Sequence, residues 1–241
     1  MNDTPPIFGI VAEGAADHTV LKRVLAGYFG TSDIVTNALQ PLRDATTEAF
    51  APGGWAQVLE YCRSEHLRSA FSQNEYIVIQ IDTDVSEKHP SYGIPHRDES
   101  GERSPEQLIA AVCAKLISLM DEAFYREYQR KIIFAVCVHS IECWLLPIYY
   151  HDGRKEKTVN CLQSLNEKLI QQLGFSIDSK DTKYYDTAAK PYSKSKELKA
   201  HWAHNPSLKH FVTSLEDRFQ RGFVLAQSAS DAPHAGSPVS R

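Results

Sequence analysis

Three apolar runs in this chain end in carboxylates. Ile77-Val78-Ile79-Gln80-Ile81 leads into Asp82-Thr83-Asp84, and Ile7-Phe8-Gly9-Ile10-Val11-Ala12 leads into Glu13-Gly14. Lys131 to Val138 leads into His139-Ser140-Ile141-Glu142. Short runs rich in β-branched residues predict buried strands. In open parallel sheets, ligands sit beyond the carboxyl ends of the strands. Residues i and i+2 of an extended chain point the same way, so Asp82 and Asp84 are expected to face one hard cation. Carboxylates converging at such an edge repel one another unless a cation neutralises them. Oxygen-only donors select Mg2+ or Mn2+ over zinc. That set suits phosphoryl chemistry, in which the ion polarises a phosphate and activates water while a spare carboxylate moves protons.

The elements between these runs must place the acids on one edge. Gly14 permits a sharp turn after the first run, and Asp17 is suited to open the following helix. Val20, Leu21, Val24, Leu25, Tyr28 and Phe29 recur at helical spacing and predict a helix over 17–29. A short strand is expected near 34–39, a loop over 40–54 closing on Pro52-Gly53-Gly54, and a helix from Trp55 to about Ala70. After Asp84, residues 85–103 form a polar loop containing His89, His96 and Arg97. Ser104-Pro105-Glu106-Gln107 opens a helix with a Ser cap, a proline in the first turn and Gln at the capping-box position. The alternation predicts an α/β fold: a small, mostly parallel sheet flanked by helices over residues 1–150. A helical C-terminal extension is expected over 151–225. Its helices are predicted over 158–173 (stopped by Gly174), 194–204, and from Asn205-Pro206 onward. Residues 176–193 read as polar and irregular, and 226–241 as a disordered tail.

The 241 residues carry a net charge of -4 and are 42% hydrophobic, a globular composition without a broadly basic coat. Residues 1–150 hold 12 Lys/Arg against 20 Asp/Glu, and 151–225 hold 13 against 9. An acidic body beside a basic end suits a cation site next to a phosphate-binding surface. Lys194, Lys196 and Lys199, with Lys190, Tyr184, Tyr185 and Tyr192 nearby, suit a nucleic-acid backbone with stacked bases, although a solvated helix face is the more common meaning of such a segment. His139, next to the third acid, suits support of the metal site from behind its ligands, or equally a plain histidine at a strand end. No apolar run of 18 residues suggests a membrane span, and no secretory leader is evident. Five dispersed cysteines without a C-x-x-C pair read as reduced core residues of a cytoplasmic protein. The chain contains no P-loop, G-x-G-x-x-G or G-x-S-x-G, which argues against an NTPase, a dinucleotide dehydrogenase and a serine hydrolase.

Glu13-Gly14-Ala15-Ala16-Asp17 after one strand and Asp82-Thr83-Asp84 after another resemble the TOPRIM domain. That domain is shared by topoisomerases, bacterial primases, small RNA-maturing ribonucleases, recombination proteins and OLD-family nucleases. The resemblance covers residues 7 to about 150. It implies proton transfer by Glu13 and Mg2+ binding by Asp82 and Asp84. Ile141-Glu142-Cys143-Trp144-Leu145-Leu146 further resembles an Ile-Glu-Ala-Trp-Leu-Leu-type motif of stand-alone TOPRIM-like proteins, some linked to phage defence. It implies that Glu142 completes the acidic cluster, with Asp17 supporting it. Ala15-Ala16 departs from the more polar residues usual after Glu-Gly, and no ATPase domain accompanies the motif, so an ATPase is a candidate partner. The expectation is a Mg2+- or Mn2+-dependent nuclease acting on DNA or RNA. The alternatives are a non-catalytic nucleic-acid-binding or complex-forming subunit, and a nucleotide phosphohydrolase or nucleotidyl transferase.

Overall fold

The computed structural model describes residues 4–44, 46, 47, 49–178 and 181–222. β1 (Phe8–Val11) feeds α1 (Ala15–Phe29), which returns to β2 (Thr36–Gln40). α2 (Trp55–Arg63) and α3 (Glu65–Ser69) precede β3 (Tyr76–Asp82). The long polar loop carries a small hairpin, β4 (Arg97–Asp98) and β5 (Gly101–Glu102). α4 (Pro105–Ser118) and α5 (Glu122–Tyr128) lead to β6 (Ile132–Cys137). A 3-10 turn over Ile141–Leu145 and a short α6 (Leu146–Tyr149) follow. α7 (Cys161–Leu173), α8 (Thr182–Ala189), α9 (Ser195–His201) and α10 (Pro206–Phe219) complete the described chain.

Among the described residues four strands form one sheet in the order β2-β1-β3-β6, every pair parallel. β1, β3 and β6 are therefore neighbours, and their carboxyl ends share an edge. Alternating side chains send Phe8, Ile10, Val78, Ile133 and Ala135 to one face, against α1, α8 and α10. Val11, Ile77, Ile79, Ile81, Ile132 and Val136 go to the other, against α2 and α4. Burial on both faces explains why these strands read as continuous apolar runs. The Ser104 capping box forms as its sequence implies: Gln107 N donates to Ser104 Oγ and Ser104 N donates to Gln107 Oε1. No described helix is long and apolar enough to cross a membrane.

Several boundaries differ from expectation. The helix from Trp55 breaks at Ser64, whose extended backbone ends α2 and starts α3. α7 begins at Cys161 rather than at Thr158. The stretch 176–193, expected to be irregular, contains α8 and a further 3-10 turn over Lys190–Ser193. Asp181 caps α8 by accepting from Lys183 N, and Tyr185, Ala188, Ala189 and Tyr192 bury one face at helical spacing. Small and aromatic residues in a lysine-rich segment masked that period. The reading of five reduced cysteines is corrected too. Cys143 and Cys161 form a disulfide, their Cα atoms 5.0 Å apart, while Cys62, Cys113 and Cys137 are free thiols. The fold brings together two cysteines whose 18-residue separation resembled no disulfide framework. The expected tail at 226–241 lies outside the described residues.

The late helices are part of the main core. α1 packs against α8, α9 and the Lys190–Ser193 turn. The approach at Gly27 is so close that an added Cβ would lie 1.9 Å from Tyr192 O. Gly27→Ala is therefore expected to destabilise the whole fold by about 1–3 kcal/mol through overpacking, read as a lower urea midpoint with unchanged slope.

Candidate active site

Glu13 and Asp82 are clamped to each other by the ends of β1 and β3. Asp82 N donates to Glu13 Oε1 at 2.7 Å. Gln80, fully buried, accepts from Glu13 N through Oε1 at 3.1 Å and donates from Nε2 to Asp82 Oδ1 at 2.8 Å. The same amide nitrogen reaches Cys137 Sγ on β6 at 3.7 Å. One glutamine thus joins three strands beneath the carboxylates. The Glu13 carbonyl accepts from Gly54 N at 2.7 Å, and a Cβ on Gly53 would stand 2.1 Å from that same oxygen. The Pro52-Gly53-Gly54 turn is glycine-rich because the backbone carrying Glu13 leaves no room for side chains there.

Asp82 is buried and Glu13 partly so. Asp17 is buried in the first turn of α1, and Glu142 is buried in the Ile141–Leu145 turn. Tyr185 of α8 donates a very short hydrogen bond to Glu142 Oε1. Burial first, then the Glu142, Asp17 and Asp82 charges, hold the Tyr185 phenol well above its ordinary pKa. Burial raises the Tyr92 phenol likewise, followed by Glu13, Asp82, Cys137 and Asp84. Burial and then Asp82, Asp17 and Glu13 raise the Cys137 thiol. Asp82 is the acid common to all three groups, joined by Glu13 at Tyr92 and Cys137 and by Glu142 at Tyr185.

Asp84 is placed differently from Asp82. β3 closes at Asp82, so the extended geometry that would align the two carboxylates stops short of Asp84, which is exposed in a turn. Fully buried Thr83 laces the ends of β3 and β6: its hydroxyl accepts from His139 N at 2.8 Å, and its N–H lies 3.1 Å from both Cys137 O and His139 O. Asp84 N also donates to His139 O at 3.1 Å, so Asp84 and His139 are fixed side by side. His139 is held with φ 61 in the left-handed region, uncommon for a residue with a side chain. Burial, then neighbouring His96, lowers its pKa, against the opposing charges of Asp84 and Glu102.

The lysines proposed to hold phosphates lie elsewhere. Ser195 Oγ donates to Gly27 O at 2.6 Å, so Lys194 and α9 begin at the far end of α1 from Glu13 and Asp17. That helix of 15 residues spans about 22 Å. Lys194 and Lys196 are exposed and Lys199 partly buried along α9. The sequence reading missed Gln80, Thr83, Tyr92 and Tyr185 as site residues. A buried glutamine inside Ile-Val-Ile-Gln-Ile was the one visible signal, because an amide in a doubly covered strand must find partners.

Fold and edge together define an α/β protein with a parallel sheet whose central strands end in carboxylates. No family model, curated protein or solved structure matches the chain. The donor chemistry of the edge is that of a hard divalent cation. Among the described residues, no three His, Cys, Asp or Glu side chains are gathered as a ready-made metal cage. Mg2+ does not require one, since it is commonly held by one or two carboxylates with waters and substrate phosphates. Glu13 and Asp82 are the two carboxylates the structure ties together at this edge.

Two outcomes are expected from the buried groups around this edge. His18 follows Asp17 and lies 2.8 Å through Nε2 from Gln40 O. Burial lowers its pKa from 6.5 to about 4, partly offset by that carbonyl. Between these values the unfolded chain binds more protons, so stability rises with pH there. The stabilisation linked to neutral His18, at most about 3 kcal/mol, is complete above the unfolded value and lost as pH falls toward 4. Urea unfolding at pH 4.5 and 7 is expected to show a smaller pH difference for His18→Gln than for wild type. Tyr185→Phe removes a hydrogen bond to a buried carboxylate and is expected to cost about 1.5–3 kcal/mol in the same measurement at pH 7.

Proposed function

We propose that the chain is a metal-dependent phosphoryl-transfer enzyme of TOPRIM type, most specifically a Mg2+- or Mn2+-dependent nuclease. One observation carries this reading: acids from three adjacent parallel strand ends share one edge, and Glu13 and Asp82 are locked together there by Gln80. Asp82 and Glu13 are the residues that would hold the ion, with Asp84 the next carboxylate outward. When bound, it supplies polarisation of a phosphate and a more acidic water.

The chain's own groups do the remaining work. Gln80 fixes Asp82 from beneath, so the carboxylate is oriented before substrate arrives. Glu13, less buried than Asp82, is suited to exchange a proton with substrate or solvent. Tyr185 orients Glu142 and keeps it part of the buried wall. Lys194 and Lys196 stand too far from this edge to touch the same phosphate, so any contact of theirs is with a remote part of a long polyanion. A second reading draws on the tie between Glu142 and Tyr185 and on the lack of a ready-made cage among the described residues. In it, the edge is retained within a non-catalytic nucleic-acid-binding or complex-forming subunit.

The deciding assay incubates plasmid DNA and RNA with Mg2+ or Mn2+. Wild type is expected to cleave only with metal, and Asp82→Asn and Glu13→Gln to lose at least about 10²-fold of the rate, with circular dichroism showing that both fold. Metal-dependent cleavage that survives both substitutions rules out this edge as the active site. Nucleic-acid binding without turnover under either metal supports the non-catalytic reading. Turnover of free nucleotides alone points to a phosphohydrolase.

A further inference from the structure

Beside the acid edge lies a cleft of about 510 Å³ that the carboxylate chemistry does not use. Asp84, Lys88, His96, His139, Val159 and Leu162 are among the residues that line it. The volume falls within the usual range of small-molecule sites, roughly 300–1,000 Å³. Its walls are of two kinds. Val159 and Leu162 are 44% and 38% exposed, two of the six large apolar side chains that are exposed among the described residues. The same cleft is lined by two imidazoles, His96 and His139, with ring centroids 5.3 Å apart in an edge-to-face pair.

These walls are built rather than draped. His96 Nε2 lies 2.8 Å from Thr83 O and 3.0 Å from Ser86 Oγ. His139 is held by Thr83 in its left-handed conformation. The segment carrying Val159 and Leu162 is tied to the site through the Cys143–Cys161 disulfide, which joins the turn carrying Glu142 to the start of α7. Asn160 in that segment is likewise left-handed. Of three non-glycine residues with positive φ among those described, two line this one cleft. Rare backbone conformations concentrated at one cavity are characteristic of binding sites.

We propose that this cleft binds the base and sugar of a nucleotide unit whose phosphate lies at Asp84. Aliphatic side chains and imidazole rings lining one cleft suit a flat, polar-edged heterocycle. Lys88 in the lining suits the charge of the attached phosphate. The phosphate's position rests on the acid-edge reading given above; the base contact does not. A free nucleotide and a nucleotide within a strand present the same chemistry to the cleft.

The test separates the two readings by using adenosine, which has no phosphate and needs no metal. In metal-free buffer, adenosine titrated into the full chain is expected to shift the imidazole NMR signals of His96 and His139, while ribose shifts neither. Leu162→Asp, at an exposed helix position, is expected to weaken adenosine binding roughly fivefold or more. Adenosine monophosphate with Mg2+ is expected to bind more tightly than adenosine, and a single-stranded oligonucleotide to compete for the same signals. No shift of either histidine by adenosine, or full binding retained in Leu162→Asp, overturns the cleft. Adenosine binding that gains nothing from phosphate and Mg2+ supports the cleft and counts against the acid-edge reading instead.

Discussion

The five residues from Ile141 to Leu145 are all buried, yet they form a 3-10 turn. Such a turn satisfies few of its own backbone groups, and it also carries a carboxylate and an indole into the core. Both polar side chains and two of the carbonyls find partners from later in the chain. Tyr185 bonds Glu142, Asn205 Nδ2 reaches Cys143 O at 3.3 Å, and Tyr192 OH donates to Trp144 O at 2.6 Å. Ser207 Oγ accepts from Trp144 Nε1 at 2.8 Å and from Val138 N at 3.3 Å. Asn205 at the same time caps α10. A turn this polar costs several kcal/mol if its groups are left unmade, so the positions of α8, the Lys190–Ser193 turn and the start of α10 follow from it.

This constraint links the carboxylate edge to the far half of the chain. Glu13 and Asp82 are organised locally by Gln80 and by strand pairing. Glu142 is organised by a helix that follows it by some forty residues of sequence. The edge is thus half sheet-built and half helix-built. Thr83 joins the halves, because its hydroxyl and N–H fix where β3 stops relative to β6. The carboxylates of such an edge are oriented by directed hydrogen bonds, which is the condition for electrostatic preorganisation.

Much of the sheet was legible in the residues. Ile77–Ile81 and Ile132–Val138 read as buried strands because both faces are covered, and the acids after them fall at the edge that parallel pairing dictates. The Ser104 box and the stop at Gly174 were legible for the same reason, since local chemistry decides caps. What escaped was non-local. Nothing near Cys143 announces Cys161, and nothing near Glu142 announces Tyr185. Asp84 looked like a twin of Asp82 only while the strand was assumed to continue. Lys194 and Lys196 looked close to the acids on charge grounds, yet α1 holds the two groups at its opposite ends.

The order in which the chain leaves the ribosome gives the turn at Ile141–Leu145 a further meaning. A polypeptide made from its N-terminus onward can pair β1, β3 and β6 once residue 137 has emerged. The turn that carries Glu142 settles only after Tyr185, Tyr192, Asn205 and Ser207 have followed. Contacts spanning such separations form late and slowly compared with local ones. The sheet edge therefore matures in two stages, and its acidic corner stays closed to folded-state chemistry until nearly all of the described chain has been made.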